Sequence, residues 1–380
     1  MDKIKVGFVT ARIDRNPHSG PNIYFRNLIS QIHLNHSDII ELVLFRSKEK
    51  KDLLDLDVEQ YEIATGESAA YRQLPKLIKT SGIDILHMNL LPVYNLFFYR
   101  YPCKKAVTLH GDLAFTEPQL AKRRMKIRMG YGFRVIDRLG LINKIDRFFP
   151  VSNSVFKELS KRIRIDAEKV RVTYNGMNKE LFVSEAEGDD AVLKEQGVKP
   201  GYILHINNFS KKKNAGTLLK SFTEYKKVDP SAFLLIIGRN WDNEMVKEIF
   251  NSSSLKEGID FKLIHGMPNH KLPPFYRSAK IFLNPTLHET FGITNLEAMA
   301  CGTPVVSTNK YSVPEVVSNC GLLIDDPYDY KAFAEAISKL MQDQDEYDEL
   351  RQKGIQRAKL FSWEKTAAET VEGYISLFKV

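Results

Sequence analysis

Short apolar runs alternate with longer segments of helical period along this 380-residue chain, and this alternation restricts the possible folds most. Strands that alternate with helices pair in parallel, and a parallel sheet needs helices on both of its faces. The pattern therefore predicts an α/β fold with two parallel sheets, one in each half. The candidate strands are Lys5–Val9, Glu41–Phe45, Asp84–Met88, Ala106–Leu109, Arg147–Val151, Val170–Tyr174, Tyr202–Ile206, Phe233–Ile237, Phe261–Ile264, Ile281–Leu283, Pro304–Ser307 and Gly321–Ile324.

The best candidate for a linker is the polar stretch 184–190, which contains only one apolar residue, Ala186. A chain of this length is long enough for two domains with separate cores. We therefore predict one Rossmann-like domain on each side of this stretch, with the first boundary at 183/184. Sheets of this kind bind their ligands at the carboxyl ends of the strands, so the loops that follow the strands are the first place to look for a site.

Several classes of protein do not fit the composition. No apolar run reaches the length of a membrane span, and the first residues lead into a strand without the apolar segment of a signal peptide, so we expect a cytoplasmic protein. Three cysteines without metal-ligand spacing indicate reduced, packed thiols. No nucleic-acid-binding motif accompanies the positive charge, so nucleic acid is not an expected partner.

Two carboxylates, Glu289 and Glu297, flank the start of a short predicted helix. Gly292 opens this helix, and Gly302 followed by Pro304 ends it. A helix N-terminus offers unpaired N–H groups and partial positive charge, whereas carboxylates accept hydrogen bonds from hydroxyls. This combination suits a sugar or a sugar phosphate, although two solvated acids beside a core helix are the plainer interpretation of the carboxylates alone.

The surrounding residues favour the sugar site. The string from Glu289 to Val305, Glu-Thr-Phe-Gly-Ile-Thr-Asn-Leu-Glu-Ala-Met-Ala-Cys-Gly-Thr-Pro-Val, resembles the donor-site signature of retaining GT-B glycosyltransferases of family four. Other segments follow in the order of that family across nearly the whole chain. They are Thr108-Leu109-His110-Gly111-Asp112, Val151-Ser152-Asn153-Ser154, Tyr174-Asn175-Gly176-Met177-Asn178, Lys213-Asn214, Pro314-Glu315-Val316-Val317 and Phe361-Ser362-Trp363.

The resemblance implies a GT-B architecture, in which two Rossmann-like domains face a central cleft. It implies an acceptor-binding domain of residues 1–183, completed by a crossover helix at about 362–380, and a donor-binding domain of residues 184–361. It also implies roles for individual residues. His110 would form a hydrogen bond with the sugar near its reacting face, and Glu289 would bind sugar hydroxyls. Lys213 would bind the phosphates, and Glu297 would bind the ribose. Main-chain N–H groups would come from Phe291, Gly292 and Ile293.

The sequence departs from the family pattern at two positions. The usual clamp arginine, five residues before the phosphate lysine, is replaced by Asn208. Lys211, Lys212, Arg239 and Arg12 are the cations that would compensate, and the sequence does not choose among them; taken alone, Lys211 and Lys212 are typical of a solvated surface run. In the first loop, only Gly20 remains of the paired glycines that let backbone approach the phosphate.

The resemblance implies transfer of a sugar from a nucleotide-sugar donor, UDP- or GDP-linked, to a saccharide or lipid-linked acceptor, in cell-surface polysaccharide or glycoconjugate synthesis. The nucleotide sugar is a substrate, and we expect neither a cofactor nor a metal. Two alternatives stay open at this point: a GT-B nucleotide-sugar epimerase and a non-catalytic homologue that binds a sugar nucleotide. A donor hydrolysis assay separates the three.

Positive charge is concentrated in the first half of the chain, where residues 1–180 hold 31 Lys and Arg against 20 Asp and Glu. Much of it lies between residues 122 and 138, with apolar residues interleaved. Such a segment fits a helix on an anionic membrane, for instance the inner face of the plasma membrane, or a solvated basic helix of its own domain. Salt-sensitive binding to anionic vesicles would separate the two. The cations proposed to face the membrane are Lys122, Arg123, Arg124, Lys126 and Arg128.

Overall fold

The computed structural model describes residues 2–11, 13, 19–47, 54, 56–64, 67–91, 96–111, 132 and 134–378. Arg12 and the five proposed membrane cations, Lys122, Arg123, Arg124, Lys126 and Arg128, lie outside these residues. The chain divides into two compact units, Met1–Gly176 with Ser362–Val380 and Met177–Phe361. Each unit contains one six-stranded parallel sheet, which confirms the predicted α/β class.

The sheet of the first unit has the strand order β3-β2-β1-β4-β5-β6, with every neighbouring pair parallel. The chain leaves β1 toward β2 and later crosses back to β4, so the order reverses between β1 and β4. The strands are β1 (Ile4–Val9), β2 (Ile40–Ser47), β3 (Glu59–Ile63), β4 (Ile85–Met88), β5 (Lys104–Leu109) and β6 (Arg147–Pro150), and the helices are α1 (Gly20–His36), α2 (Glu67–Ser81), α3 (Asn153–Ser160) and α12 (Trp363–Ile375). Short 3₁₀ turns cover Leu96–Arg100, Leu141–Lys144 and Ala167–Lys169.

The second unit repeats the same plan with the order β12-β11-β10-β7-β8-β9, in which the reversal falls between β7 and β10. All of its neighbouring strands are parallel. Its strands are β7 (Ile203–Ile206), β8 (Leu234–Gly238), β9 (Phe261–His265), β10 (Ile281–Asn284), β11 (Val305–Thr308) and β12 (Gly321–Ile324). Its helices are α4 (Asp189–Glu195), α5 (Ala215–Tyr225), α6 (Glu244–Asn251), α7 (Pro273–Arg277), α8 (Ile293–Ala300), α9 (Val313–Val317), α10 (Tyr330–Gln342) and α11 (Gln344–Ala358), with 3₁₀ turns at Lys211–Lys213 and Asn269–Lys271.

Two strand predictions for the first unit were wrong. The edge strand β3 was missed because four of its five residues are polar or only partly buried and Ile63 alone is buried. The predicted strand Val170–Tyr174 forms only an isolated bridge between Val170 and Phe148. Thr173 donates its N–H to Pro150 O at 3.0 Å, but Pro150 has no N–H with which to continue a ladder.

The first boundary between the units lies at Gly176 and Met177, seven residues before the predicted position at 183/184. The residues after Gly176 already pack in the second unit, because the ring of Phe182 lies 6.0 Å from that of Tyr276. Arg277 donates to Val183 O at 3.1 Å and holds Asp189 through two hydrogen bonds of 2.6 Å. The polar stretch 184–190 is therefore part of the second unit.

The last helix, α12, packs in the first unit and completes its core. Ala367, Val371 and Tyr374 are buried there. The Tyr374 hydroxyl contacts Nδ1 of His87 on β4, and His87 Nε2 lies 2.9 Å from the hydroxyl of Thr108 on β5. Burial lowers the pKa of His87 to about 3, so this imidazole is neutral at physiological pH and serves as a polar link between helix and sheet.

We predict that Gly176→Ala destabilises the protein. A Cβ at Gly176 would lie 2.2 Å from the backbone nitrogen of Trp363 and 2.5 Å from the carbonyl carbon of Ser362, atoms that fix the start of α12. Because these are backbone atoms, the overlap forces a shift that costs about 1–3 kcal/mol. Urea unfolding measures this loss in the free energy of unfolding. The matched control is Gly216→Ala, where no atom lies within 4 Å of the added Cβ; equal loss in both variants would contradict the prediction.

Candidate active site

The central residues of the candidate site in the second unit lie where the strand order reverses. The chain leaves the two central strands, β7 and β10, toward opposite sides of the sheet. A crevice opens at such a reversal beyond the carboxyl ends of the strands, and α/β proteins bind ligands there. Lys213 lies in the 3₁₀ turn after β7, and Glu289 lies in the loop after β10. The topology thus explains why two residues 76 positions apart meet.

Lys213 and Glu289 form a buried ion pair, with 2.5 Å between Lys213 Nζ and Glu289 Oε1. Only 11% of one side chain and 9% of the other is exposed. Burial by itself would raise the pKa of Glu289, but the charges of Lys213 and Lys212 and the Lys213 hydrogen bond outweigh it, so the pKa lies below its usual value. Glu289 is therefore ionised at neutral pH and accepts hydrogen bonds.

Lys212 is part of this site rather than of a solvated surface run. Its carbonyl oxygen accepts from the Leu287 N–H at 2.7 Å and from the Thr286 hydroxyl at 3.0 Å, which joins the loops after β7 and β10. Burial lowers the pKa of its ammonium group, and its charge favours the ionised form of Glu289. Lys211, in contrast, is exposed.

The loop after β10 leads into α8, and α8 begins a few residues after Glu289. Gly292 has φ 89°, a left-handed conformation that other residues adopt at a cost, and it lets Ile293 start the helix directly after the loop. Phe291 packs its ring against Phe361 at 5.8 Å, so its side chain belongs to the core. The helix ends as predicted before Gly302, where the Thr303 N–H donates to Ala298 O at 2.9 Å.

Glu297 lies on α8 and is buried, but no cation pairs with it among the hydrogen bonds and ion pairs of the described residues. Its Oε2 accepts a hydrogen bond of 2.8 Å from the Tyr276 hydroxyl on α7. Burial raises the pKa of Glu297 to about 7, against the opposing effect of hydrogen bonds from Tyr276 and Asn269. The two glutamates of the motif thus differ in charge near pH 6.

Asn208, the residue in place of the usual arginine, is exposed at the end of β7. Its Oδ1 accepts the N–H of Arg239 at 2.9 Å. The Phe209 N–H in turn donates to Arg239 O at 2.8 Å, so the loops after β7 and β8 are joined here. The structure therefore brings the backbone of Arg239 next to Asn208, whereas Lys212 is the candidate cation whose charge acts on Glu289 in the site.

The predicted residues of the first unit lie at the equivalent reversal, between β1 and β4. Gly20 is the first residue of α1, and His110 follows β5. His110 Nε2 donates to Asn89 Oδ1 at 2.9 Å, and the ring of Tyr24 meets the imidazole edge-on at 5.0 Å. Burial lowers the pKa of His110 to about 3, so the imidazole is neutral.

The sequence reasoning missed three residues that hold the predicted ones in place. Asn89 follows β4 as His110 follows β5, so its position at a strand end was a usable signal. Ser312 donates its hydroxyl to Glu289 O at 3.0 Å. Tyr276 lies on a five-residue helix and carries no signal in the sequence, because only tertiary packing brings it to Glu297.

The described part of the chain contains neither a metal-binding cluster nor a membrane-spanning helix. Within it, no three histidine, cysteine, aspartate or glutamate side chains are grouped so that they could hold a metal ion. None of its helices is both long enough and apolar enough to span a membrane.

Two family models match the chain and together cover most of it. The model described as Glycosyltransferase Family 4 matches residues 62–181, and the model described as Glycosyl transferases group 1 matches residues 191–359, which include Lys213, Glu289 and Glu297. The chain belongs to this glycosyltransferase family. It is an enzyme that transfers a sugar from a nucleotide-sugar donor, as the resemblance in the sequence predicted.

Curated relatives and solved structures agree with this assignment. O-antigen chain mannosyltransferase B of Escherichia coli is 28% identical over 73% of this chain and 72% of its own. Alpha-maltose-1-phosphate synthase of Mycolicibacterium smegmatis is 28% identical over 65% of this chain and 68% of its own. Sucrose-phosphate synthase of Thermosynechococcus elongatus superposes with a TM-score of 0.75, 19% identity and 99% coverage of both chains. Anabaena HepE in complex with UDP superposes with a TM-score of 0.76 and 17% identity, over 99% of this chain and 100% of its own. The chain therefore has the GT-B fold.

We predict that Glu297 makes stability fall as pH rises. Its pKa is about 7 in the folded protein against 4.5 in the unfolded chain, so the native state binds the proton more tightly. The contribution of Glu297 to the stability of the folded protein is fully present below pH 4.5 and is lost as pH rises through 7. Glu297→Gln removes this loss, and relative to wild type it should gain up to about 3 kcal/mol between pH 4 and pH 8.

Chemical denaturation at several pH values measures the effect. Glu335→Gln, at an exposed position on α10, is the matched control and should follow wild type throughout. Parallel pH profiles for Glu297→Gln and wild type would show that folding does not raise the pKa of Glu297.

Proposed function

We propose that the enzyme transfers a hexosyl group, with retention of anomeric configuration, from a nucleoside-diphosphate sugar to a saccharide acceptor in polysaccharide or glycoconjugate synthesis. The observation that carries the proposal is the buried Lys213–Glu289 pair at the strand reversal beside the N-terminus of α8. The proposal is supported by the E. coli O-antigen chain mannosyltransferase B, and by WbdA, a serotype-specific mannosyltransferase of E. coli that is 23% identical over 87% of this chain.

The first requirement of such a reaction is to neutralise the leaving group. A nucleoside diphosphate gains negative charge as the bond to the sugar breaks, and preorganised cations and N–H groups stabilise that charge most in a site that excludes water. Lys213 supplies a buried ammonium group, and Lys212 adds a second charge close to it. In the proposal, the main-chain N–H groups at Gly292 and Ile293 complete the phosphate site.

Glu289 orients the sugar. An ionised carboxylate is an acceptor only, so it selects hydroxyl groups and rejects a second anion. Its charge is kept by Lys213, and its backbone is fixed by Ser312. A neutral sugar ring bound to Glu289 and a diphosphate bound to Lys213 would satisfy both partners of the ion pair at once, which matches the chemistry of a nucleotide sugar.

Glu297 holds the ribose in the proposal, and His110, in the first unit, binds a substrate hydroxyl. Tyr276 and Asn269 donate to Glu297, and its two carboxyl oxygens keep further lone pairs for a ribose hydroxyl. His110 is neutral, so it contributes a directional hydrogen bond and not a charge. Front-face substitution, in which the leaving phosphate takes the acceptor proton, needs no protein nucleophile and is consistent with these roles.

Nucleotide binding tests the donor site. We expect UDP or GDP, and the matching nucleotide sugars, to raise the melting temperature, because ligands that bind the native state stabilise it. Lys213→Ala should weaken nucleoside diphosphate binding about 10–100-fold, the loss of one charge-assisted hydrogen bond. Lys211→Ala, the exposed neighbour, is the control and should stay within about twofold of wild type. No stabilisation by any nucleoside diphosphate would overturn the proposal.

Turnover tests the role of Glu289. We expect Glu289→Gln to lower kcat on the order of 100-fold, because a carboxylate that orients hydroxyls in the transition state contributes most there. Nucleoside diphosphate affinity should change far less than kcat. Glu185→Gln, an exposed substitution in the same unit, is the control. Wild-type kcat in Glu289→Gln would remove Glu289 from the site.

NMR of the product reports its anomeric configuration. Inversion of that configuration would contradict the retaining mechanism.

A further inference from the structure

The hydrogen bonds around Asn89 determine which nitrogen of His110 carries its hydrogen. Asn89 directly follows the last residues of β4 and is buried, with 5% of its surface exposed. Its Nδ2 lies 2.9 Å from the carbonyl oxygen of Pro21, at the start of α1, and 3.2 Å from Asn22 Oδ1. Its Oδ1 lies 2.9 Å from His110 Nε2. The side chain thus links the loops after three strands of the first unit.

A carbonyl oxygen only accepts hydrogen bonds, so the Asn89 atom that faces Pro21 O must be the donor nitrogen. Rotating the amide by half a turn would place two oxygens 2.9 Å apart. The atom that faces His110 is therefore the amide oxygen, which also only accepts. His110 Nε2 must then carry a hydrogen, and in the neutral imidazole Nδ1 is left with a lone pair.

We propose that Asn89 is a positioning residue that holds His110 as the Nε2–H tautomer, so that Nδ1 accepts a hydrogen bond from a substrate hydroxyl. This inference rests on the proposed role of His110. The tautomer matters because a hydroxyl that donates to Nδ1 keeps both lone pairs of its oxygen, whereas the opposite tautomer would present a donor at the same place.

The surroundings also fix the plane of the ring. Tyr24 meets the imidazole edge-on, and Tyr24 is itself held by the Thr173 hydroxyl at 3.1 Å and by the Trp363 ring at 5.6 Å. Asn89 therefore acts on a ring whose orientation is already restricted, and the remaining freedom is the choice of tautomer. An aspartate would not replace Asn89, because it has no N–H for Pro21 O and would draw positive charge onto His110.

Nitrogen NMR of protein labelled at histidine tests the inference directly. His110→Gln identifies the His110 signals among the nine histidines. In the wild type we expect a protonated Nε2 and an unprotonated Nδ1. In Asn89→Ala we expect the signals to shift toward a mixture of tautomers and kcat to fall about 10–100-fold, as for groups that orient metal-binding histidines. The affinity for nucleoside diphosphate should stay within about twofold.

The matched control is Asn27→Ala. Asn27 also donates its amide to a carbonyl oxygen of α1, Ile23 O at 2.8 Å, whereas the His110 hydrogen bond is to Asn89. It should change neither tautomer nor kcat. A hydrogen on Nδ1 in the wild type overturns the inference about Asn89 without needing any variant, even if Asn89→Ala does not fold. Wild-type turnover in His110→Gln would instead overturn the role proposed for His110, and with it the catalytic effect of Asn89.

Discussion

Both halves of this enzyme depend on the same constraint, the reversal of strand order in the middle of a parallel sheet. Successive connections on one side of the first strand cover one face, and those on the other side cover the opposite face. The chain thus leaves the two central strands toward opposite sides, and a crevice forms between them at the carboxyl edge. Lys213 and Glu289 meet at this edge in the second unit, and Asn89 contacts the start of α1 at the equivalent edge of the first.

Glu289 and Glu297 show how environment separates two identical side chains eight residues apart. Both are buried, so both lose the solvation that favours an ionised carboxylate. Glu289 has two lysines beside it, and its pKa falls. The hydrogen-bond donors to Glu297 in the described part of the chain, Tyr276 and Asn269, are neutral, and its pKa rises to about 7. The difference divides the motif into a position that stays charged at neutral pH and a position whose charge responds to pH.

In the interior of the first unit, neutral polar links join β4 to its neighbours. His87 joins Thr108 on β5 to Tyr374 on α12, and His110 joins Asn89 at the edge of the sheet. Burial keeps both imidazoles uncharged, so these hydrogen bonds depend on tautomer and orientation rather than on charge. A buried network of this kind fixes geometry strongly, because each unpaired polar atom would cost free energy.

Local pattern in the sequence determined the α/β class, the two sheets, the bounds of α8 and the motif that carries Glu289 and Glu297. These features depend on hydrophobic period, on turn residues and on spacing within one segment, all of which are local. The edge strand β3 and the end of the first unit at Gly176 did not follow from pattern, because exposure at a sheet edge and the packing of Phe182 depend on distant residues. Only the tertiary structure brought Lys212 and Tyr276 to the two glutamates and placed Asn89 on His110, since those contacts join segments that the sequence keeps 21 to 77 positions apart.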